Sequence, residues 1–300
     1  MSIFKKLFGE EAPKWAQPIS KGLYKEFQDD VTTFLSSTGL IHEYFWETGK
    51  VRLNLGKDLD ENSHLELNFS NLLQNWKDSP ALERKVLTNE FIQRMVDGYN
   101  QEVLPLSQCL SQLLVRVYDE DYAKEFPCFV VKQIGNYLKA GLVLDMGSVV
   151  KSVLPESVFE SELDQDQLLA QATINLIEQI LPIADVRHIE ANHPMRGHLG
   201  NLTLITAEIY GASCLLILDK FTQPGQTYWV SVPARDLTMV FEPLSSTDED
   251  LANFLQIAGN LSKGSPNHYI APVILEYKDG IFRDLCSYQN GVVHILDQPF

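Results

Sequence analysis

Three groups of residues have types and spacings suited to chemistry. The stretch "SVPARDLT" sets Arg235 beside Asp236 where the apolar run "TYWVSVP" gives out. Strand ends often carry function, because a loop there can vary on a rigid support. A guanidinium grips a carboxylate or phosphate through two parallel hydrogen bonds, and a neighbouring carboxylate can orient it. Asp145 ends a second apolar run, "KAGLVLD". With Asp236 it would make the carboxylate pair that general acid–base work needs. Each residue also has a plain structural role: aspartates cap turns, and an arginine pairs with an internal carboxylate to fix a strand exit.

The third group lies in "RHIEANHPMRGH", which holds His188, His193 and His198. Their spacing matches neither the HExxH helix pair nor the cysteine-bearing patterns of structural zinc. Asn192, Pro194 and Gly197 between them form turns. The expectation is therefore a polar, pH-sensitive loop between two strands, with His188 near the end of the first. Metal ligation by the three is the weaker candidate, and no metal or cofactor is expected.

The elements that must position these residues follow from periodicity. Ile19, Leu23, Phe27, Val31, Phe34 and Leu35 line one helix face that ends near Gly39. "IHEYFWETGKVRLNLG" predicts a hairpin turning near Gly49, and "HLELNF" a third strand. Two helices follow, parted at Ser79-Pro80, with Leu87, Phe91 and Met95 facing inward on the second. Strands are expected in "LLVRVYD", "FPCFVVKQI", "KAGLVLD", "IADVRHIE", "LTLITA", "TYWVSVP" and "VVHIL", with a hairpin over Asp279-Gly280. Asp164 and Gln167 make a capping box before a helix closed by Leu181-Pro182, and Asn175 inside it is expected to be buried and hydrogen-bonded to a loop. "AEIYGASCLLILDKF" is assigned to helix on length. Thr247 and Asp250 cap the helix "DEDLANFLQIAGNL".

Hairpins interspersed with helices predict an α+β fold with largely antiparallel sheet. The expected organisation is a lead-in over residues 1–18, a small α-β-β-β-α-α unit over 19–100, and a larger, mainly antiparallel α+β domain over 101–300 packed against it. No dinucleotide, phosphate-loop or nucleophile-elbow motif occurs.

Composition narrows the function classes. The 300 residues are 45% hydrophobic and 21% charged, which predicts a packed globular chain. The net charge of −16, without a lysine- or arginine-rich run, disfavours nucleic acid and anionic membranes as partners. No run approaches the roughly 20 apolar residues of a membrane span. "MSIFKKLFG" is amphipathic, yet too short for a signal-peptide core, and is expected to be a loosely packed lead-in. Cys109, Cys128, Cys214 and Cys286 are dispersed, as expected of free thiols in a cytoplasmic protein.

Several segments taken together resemble the YtpQ-like family, a bacterial group of unknown function. They are "LELNFSNLLQNW", "GLVLDMGSVVKSVLPESVF", "LLAQATINL", "ITAEIYGASCLLIL", "YWVSVPARDLTMVFEP" and "YIAPVILEYKDGIF", in that order over residues 20–285. The resemblance implies a bacterial cytosolic protein. It implies no activity, because the family brings no catalytic residues to carry over.

The function expected from these features is non-catalytic protein binding. Acidity without basic patches, the absence of a catalytic constellation, and the consecutive aromatics Tyr44, Phe45 and Trp46 motivate it, since part of that trio must face away from its own core. The alternative is a hydrolase-type enzyme or a small-molecule sensor, with Arg235, Asp236 and Asp145 lining the pocket.

Overall fold

The computed structural model describes residues 12–16, 19–54, 64–100, 104–119, 128–147, 149–189, 201–243, 248–264, 270, 273–289 and 292–295. The chain is α+β and falls into two compact units, Met1–Glu102 and Val103–Phe300. The amphipathic segment at residues 1–9 and the Thr247 cap lie outside the described residues.

The first unit opens with helix α1 (Lys21–Thr38), capped by Ser20 and ended by Gly39 at φ 70°. Only glycine adopts that left-handed stop without cost. Strands β1 (Ile41–Phe45), β2 (Lys50–Asn54) and β3 (His64–Asn68) form an antiparallel sheet in that order. Helices α2 (Ser70–Asp78) and α3 (Ala81–Asn100) close it over a core of Phe27, Leu53, Phe69 and Trp76. The aromatic trio divides by strand alternation. Tyr44 and Trp46 stack at 4.8 Å and pack on the core, while the Arg52 guanidinium sits 5.2 Å above Phe45.

In the second unit β4 (Leu113–Asp119), β6 (Leu138–Asp145) and β5 (Val130–Ile134) form an antiparallel sheet, with β7 (Val150–Ser152) pairing with the end of β6 on the side of β5. Helix α4 (Pro155–Ser161) follows, and then α5 (Gln165–Asn175) with the expected Asp164–Gln167 capping box. Asn175 is buried; its amide donates to the carbonyls of Leu110 and Leu113, each at 2.7 Å. The helix widens to a π turn at Leu176–Ile180, where Leu181 N donates to Leu176 O ahead of Pro182. A proline cannot donate to the preceding turn, and its ring crowds the carbonyl four residues back.

A seven-stranded antiparallel sheet completes the unit. Its strands are β8 (Asp185–Ile189), β9 (Asn201–Thr206), β10 (Tyr228–Ala234), β11 (Leu237–Glu242), β12 (Val273–Lys278), β13 (Ile281–Gln289) and β14 (Val292–Ile295), in the spatial order β14-β13-β12-β10-β11-β9-β8. Both faces of its centre are covered. Val230, Val232, Val240 and Leu275 join the core shared with the four-stranded sheet. Trp229, Met239, Phe241 and Ile274 pack on Phe254 and Leu255 of helix α6 (Asp248–Gly264). Every residue of β10 is therefore buried. The segment assigned to a helix on length is helical at Ala212–Lys220, but as tighter 3-10 turns broken at Ile217.

Asp284 on β13 ties this sheet to the turn between β5 and β6. Its Oδ2 accepts from Asn136 N at 2.8 Å. Gly135 lets the carboxylate in, because a side chain there would overlap it. No helix among the described residues is long and apolar enough to cross a membrane.

Candidate functional site

Arg235 and Asp236 stand at the end of the apolar strand, where the sequence set them. They are the two central residues of a tight hairpin turn joining β10 to β11, with Ala234 paired to Leu237. Neither has a positive φ, so the turn lacks the twist that two-residue hairpins prefer. A register shift between Ser231 and Ala234 accompanies it. The main chain of this tip is held from one side. Arg235 O accepts from Ala212 N at 3.0 Å and Asp236 O from Ala207 N at 3.4 Å. Thr238 Oγ1 donates to Gly211 O at 2.8 Å. A methyl group on Gly211 would overlap the Asp236 carbonyl, so the two chains touch backbone to backbone.

Asp145 reaches the same segment from the other sheet. Its Oδ2 accepts from the Tyr210 hydroxyl at 2.7 Å, and its Oδ1 from Gly147 N at 2.8 Å. Burial pushes the Tyr210 phenol far up, and the Asp145 hydrogen bond adds to the shift. Tyr210 therefore stays protonated and keeps donating. The Arg116 guanidinium lies 5.7 Å from the centre of its ring. Asp145, Arg235 and Asp236 thus converge on residues 207–212, the carboxylate of Asp145 through Tyr210 and the other two through main-chain carbonyls. Chemically this is a clamp. Both oxygens of Asp145 are engaged, and the phenol is held neutral.

Of His188, His193 and His198, only His188 is among the described residues. It stands exposed on β8, with Nδ1 2.9 Å from Thr203 Oγ1 on β9. His193 and His198 lie outside the described residues. Among the described residues no group of three or more His, Cys, Asp or Glu is placed to hold a metal ion. The cysteines are all free. Burial pushes the Cys214 thiol up to about 12 and Cys286 up to about 11, which leaves both as inert thiols at neutral pH.

Among the described residues of the second unit, two cavities have the form of binding sites, and the three sequence candidates line neither. The smaller, of 220 Å³, lies beside the Asp279-Gly280 turn, with Tyr277, Asp219 and Lys132 on its walls. The larger, of 450 Å³, lies between the Leu106–Gln108 turn, the end of β6, β7 and α4. Leu106, Leu144 and Val153 give it an apolar floor, and Lys151, Ser157 and Ser161 line its polar side. Lys151 pairs with Leu144 across the β6–β7 ladder, so the two side chains share a face. Desolvation lowers the Lys151 ammonium below the ordinary lysine value. Ser157, Glu160 and Ser161 fall at helical spacing on one side of α4.

Sequence reasoning passed over this cleft, although part of it was signalled. "LPESVFES" carries proline at the first helical position and Glu156 in the first turn, a recognised helix start. A short helix after a three-residue strand has too little apolar periodicity to stand out. No family model, no curated protein and no solved structure matches the chain.

Proposed function

We propose that the protein is a non-catalytic binding module whose second unit takes a small amphipathic anion in the Lys151 cleft. The observation that carries this reading is the cleft's composition: 450 Å³ with an apolar floor and one partly desolvated ammonium. That volume lies within the range of about 300–1,000 Å³ typical of ligand sites, which pair apolar walls with few polar anchors. The ligand's tail would lie on Leu106, Leu144 and Val153, with its anionic head at Lys151. Calorimetric titration with octanoate tests it. Saturable binding is expected, about tenfold weaker for Lys151→Met, and octylamine should not compete. If octanoate gives no saturable heat, or Lys151→Met binds it equally well, the reading fails.

A second reading, docking of a protein partner, is supported by the first unit. Leu82 (94% exposed) and Val86 (55%) stand one turn apart on α3. Capture from the native host with the wild-type chain and with Leu82→Asp/Val86→Asp tests it. A partner lost only from the double variant supports it; equal recovery on both removes it. A bacterial, cytosolic setting belongs to the same proposal. It is supported by the four free thiols and by the collinear segments that resemble the YtpQ-like family.

A further inference from the structure

We infer that β8 is a self-complementary edge through which two copies of this chain pair, continuing the seven-stranded sheet. Among the described residues β8 ends the sheet and pairs only with β9. Asp185, Val186, Arg187 and His188 are all exposed, so the strand stands clear of the core on both faces. Val186 is 38% exposed, and Ile183, just before the strand, is 53% exposed. An open strand edge with exposed apolar side chains is a template for another strand.

The sequence across this edge, "IADVRHI", specifies the occupant. Antiparallel pairing about a two-fold axis at Val186 sets Asp185 opposite Arg187 of the second copy, and Arg187 opposite its Asp185. Opposite charges directly across a pair of strands stabilise it, and like charges destabilise it. Val186 meets its own equivalent, and Ala184, the extended residue just before the strand, meets His188. Apolar faces apolar at the centre. A two-fold contact requires this kind of self-matching.

Neighbouring registers are excluded by the same charges. An axis at Arg187 would set arginine against arginine, and an axis at Asp185 aspartate against aspartate. Repulsion in the wrong alignment therefore fixes the right one. Within one chain Arg187 already reaches Asp185 at 2.6 Å, so the two side chains lie on the same face and can exchange partners across the axis.

Sedimentation velocity on the full chain at about 100 µM, where a micromolar dissociation constant gives mostly dimer, tests the pairing. The wild type should be a dimer. Asp185→Arg or Arg187→Asp alone should raise the dimer dissociation constant at least about tenfold, and the two together should restore it. Mild oxidation of a Val186→Cys variant should give a covalent dimer, whereas His188→Cys, facing Ala184, should not. Circular dichroism of each variant confirms that these exposed changes leave the fold intact. A monomeric wild type, a dimer indifferent to the single reversals, or a double reversal that fails to rescue would overturn the pairing.

Discussion

The Tyr210 hydroxyl donates to Asp145 Oδ2 at 2.7 Å, joining the end of β6 to the segment that supports the β10–β11 hairpin. Removing the hydroxyl leaves a carboxylate oxygen without its donor in a partly buried place. Such a loss costs about 1–3 kcal/mol. Tyr210→Phe should lower stability by that amount in urea unfolding and leave the unfolding slope unchanged.

Gly211 lies where a single methyl group would enter the Asp236 carbonyl. Its φ is −54°, so alanine there is not strained by its backbone angle. The cost is steric, and overpacking of this kind amounts to about 1–3 kcal/mol. Gly211→Ala should lower the melting temperature, and Gly22→Ala, at an exposed helical position with open space around it, should not.

An anion held at Lys151 would require its ammonium to be protonated, and desolvation lowers its pKa. Octanoate affinity should therefore fall as pH rises, beginning below the range in which an ordinary lysine titrates. Glu160 lines the same cleft with the opposite sign. Glu160→Gln should tighten octanoate severalfold, and calorimetry across a pH series reads both effects.

Burial raises the Asp284 carboxyl above its ordinary 3.8, with the Asn136 N–H acting the other way. A carboxyl whose folded pKa is raised binds its proton more tightly in the folded chain. Its contribution to stability is full below 3.8 and is lost as pH rises through the folded value. Asp284→Asn keeps an acceptor for Asn136 and carries no charge. The stability difference, variant minus wild type, should grow from acid towards neutral pH in denaturant titrations.

Much of the fold was legible because its signals were local. Gly39 ends α1, Ser79-Pro80 parts α2 from α3, and Asp164 with Gln167 starts α5. Each is set by backbone chemistry within a turn of itself. The central strands were harder to place by face. Trp229 and Val230 point into different cores, yet both are apolar, so no alternation shows in "TYWVSVP". The tight turn at Arg235 and Asp236 has no glycine or asparagine to announce it, and its shape depends on a register shift and on Gly211 across the gap. Asp145 was readable as a strand end, but its partner Tyr210 is 65 residues away and carries no pattern of its own. The Lys151 cleft arises from four short pieces, none of which is distinctive alone.

The bond between Asn136 and Asp284 spans 148 residues of chain. During synthesis the β5–β6 turn emerges long before the carboxylate that holds it. The two-sided burial of β10 likewise waits for α6 and β12. The second unit can therefore close only after Asp284 has been made, whereas the described strands and helices of the first are complete by residue 100. Domains generally fold as units, the N-terminal one first, and distant pairings form slowly. While the second unit is being made, the described strands and helices of the first have already been synthesised in full.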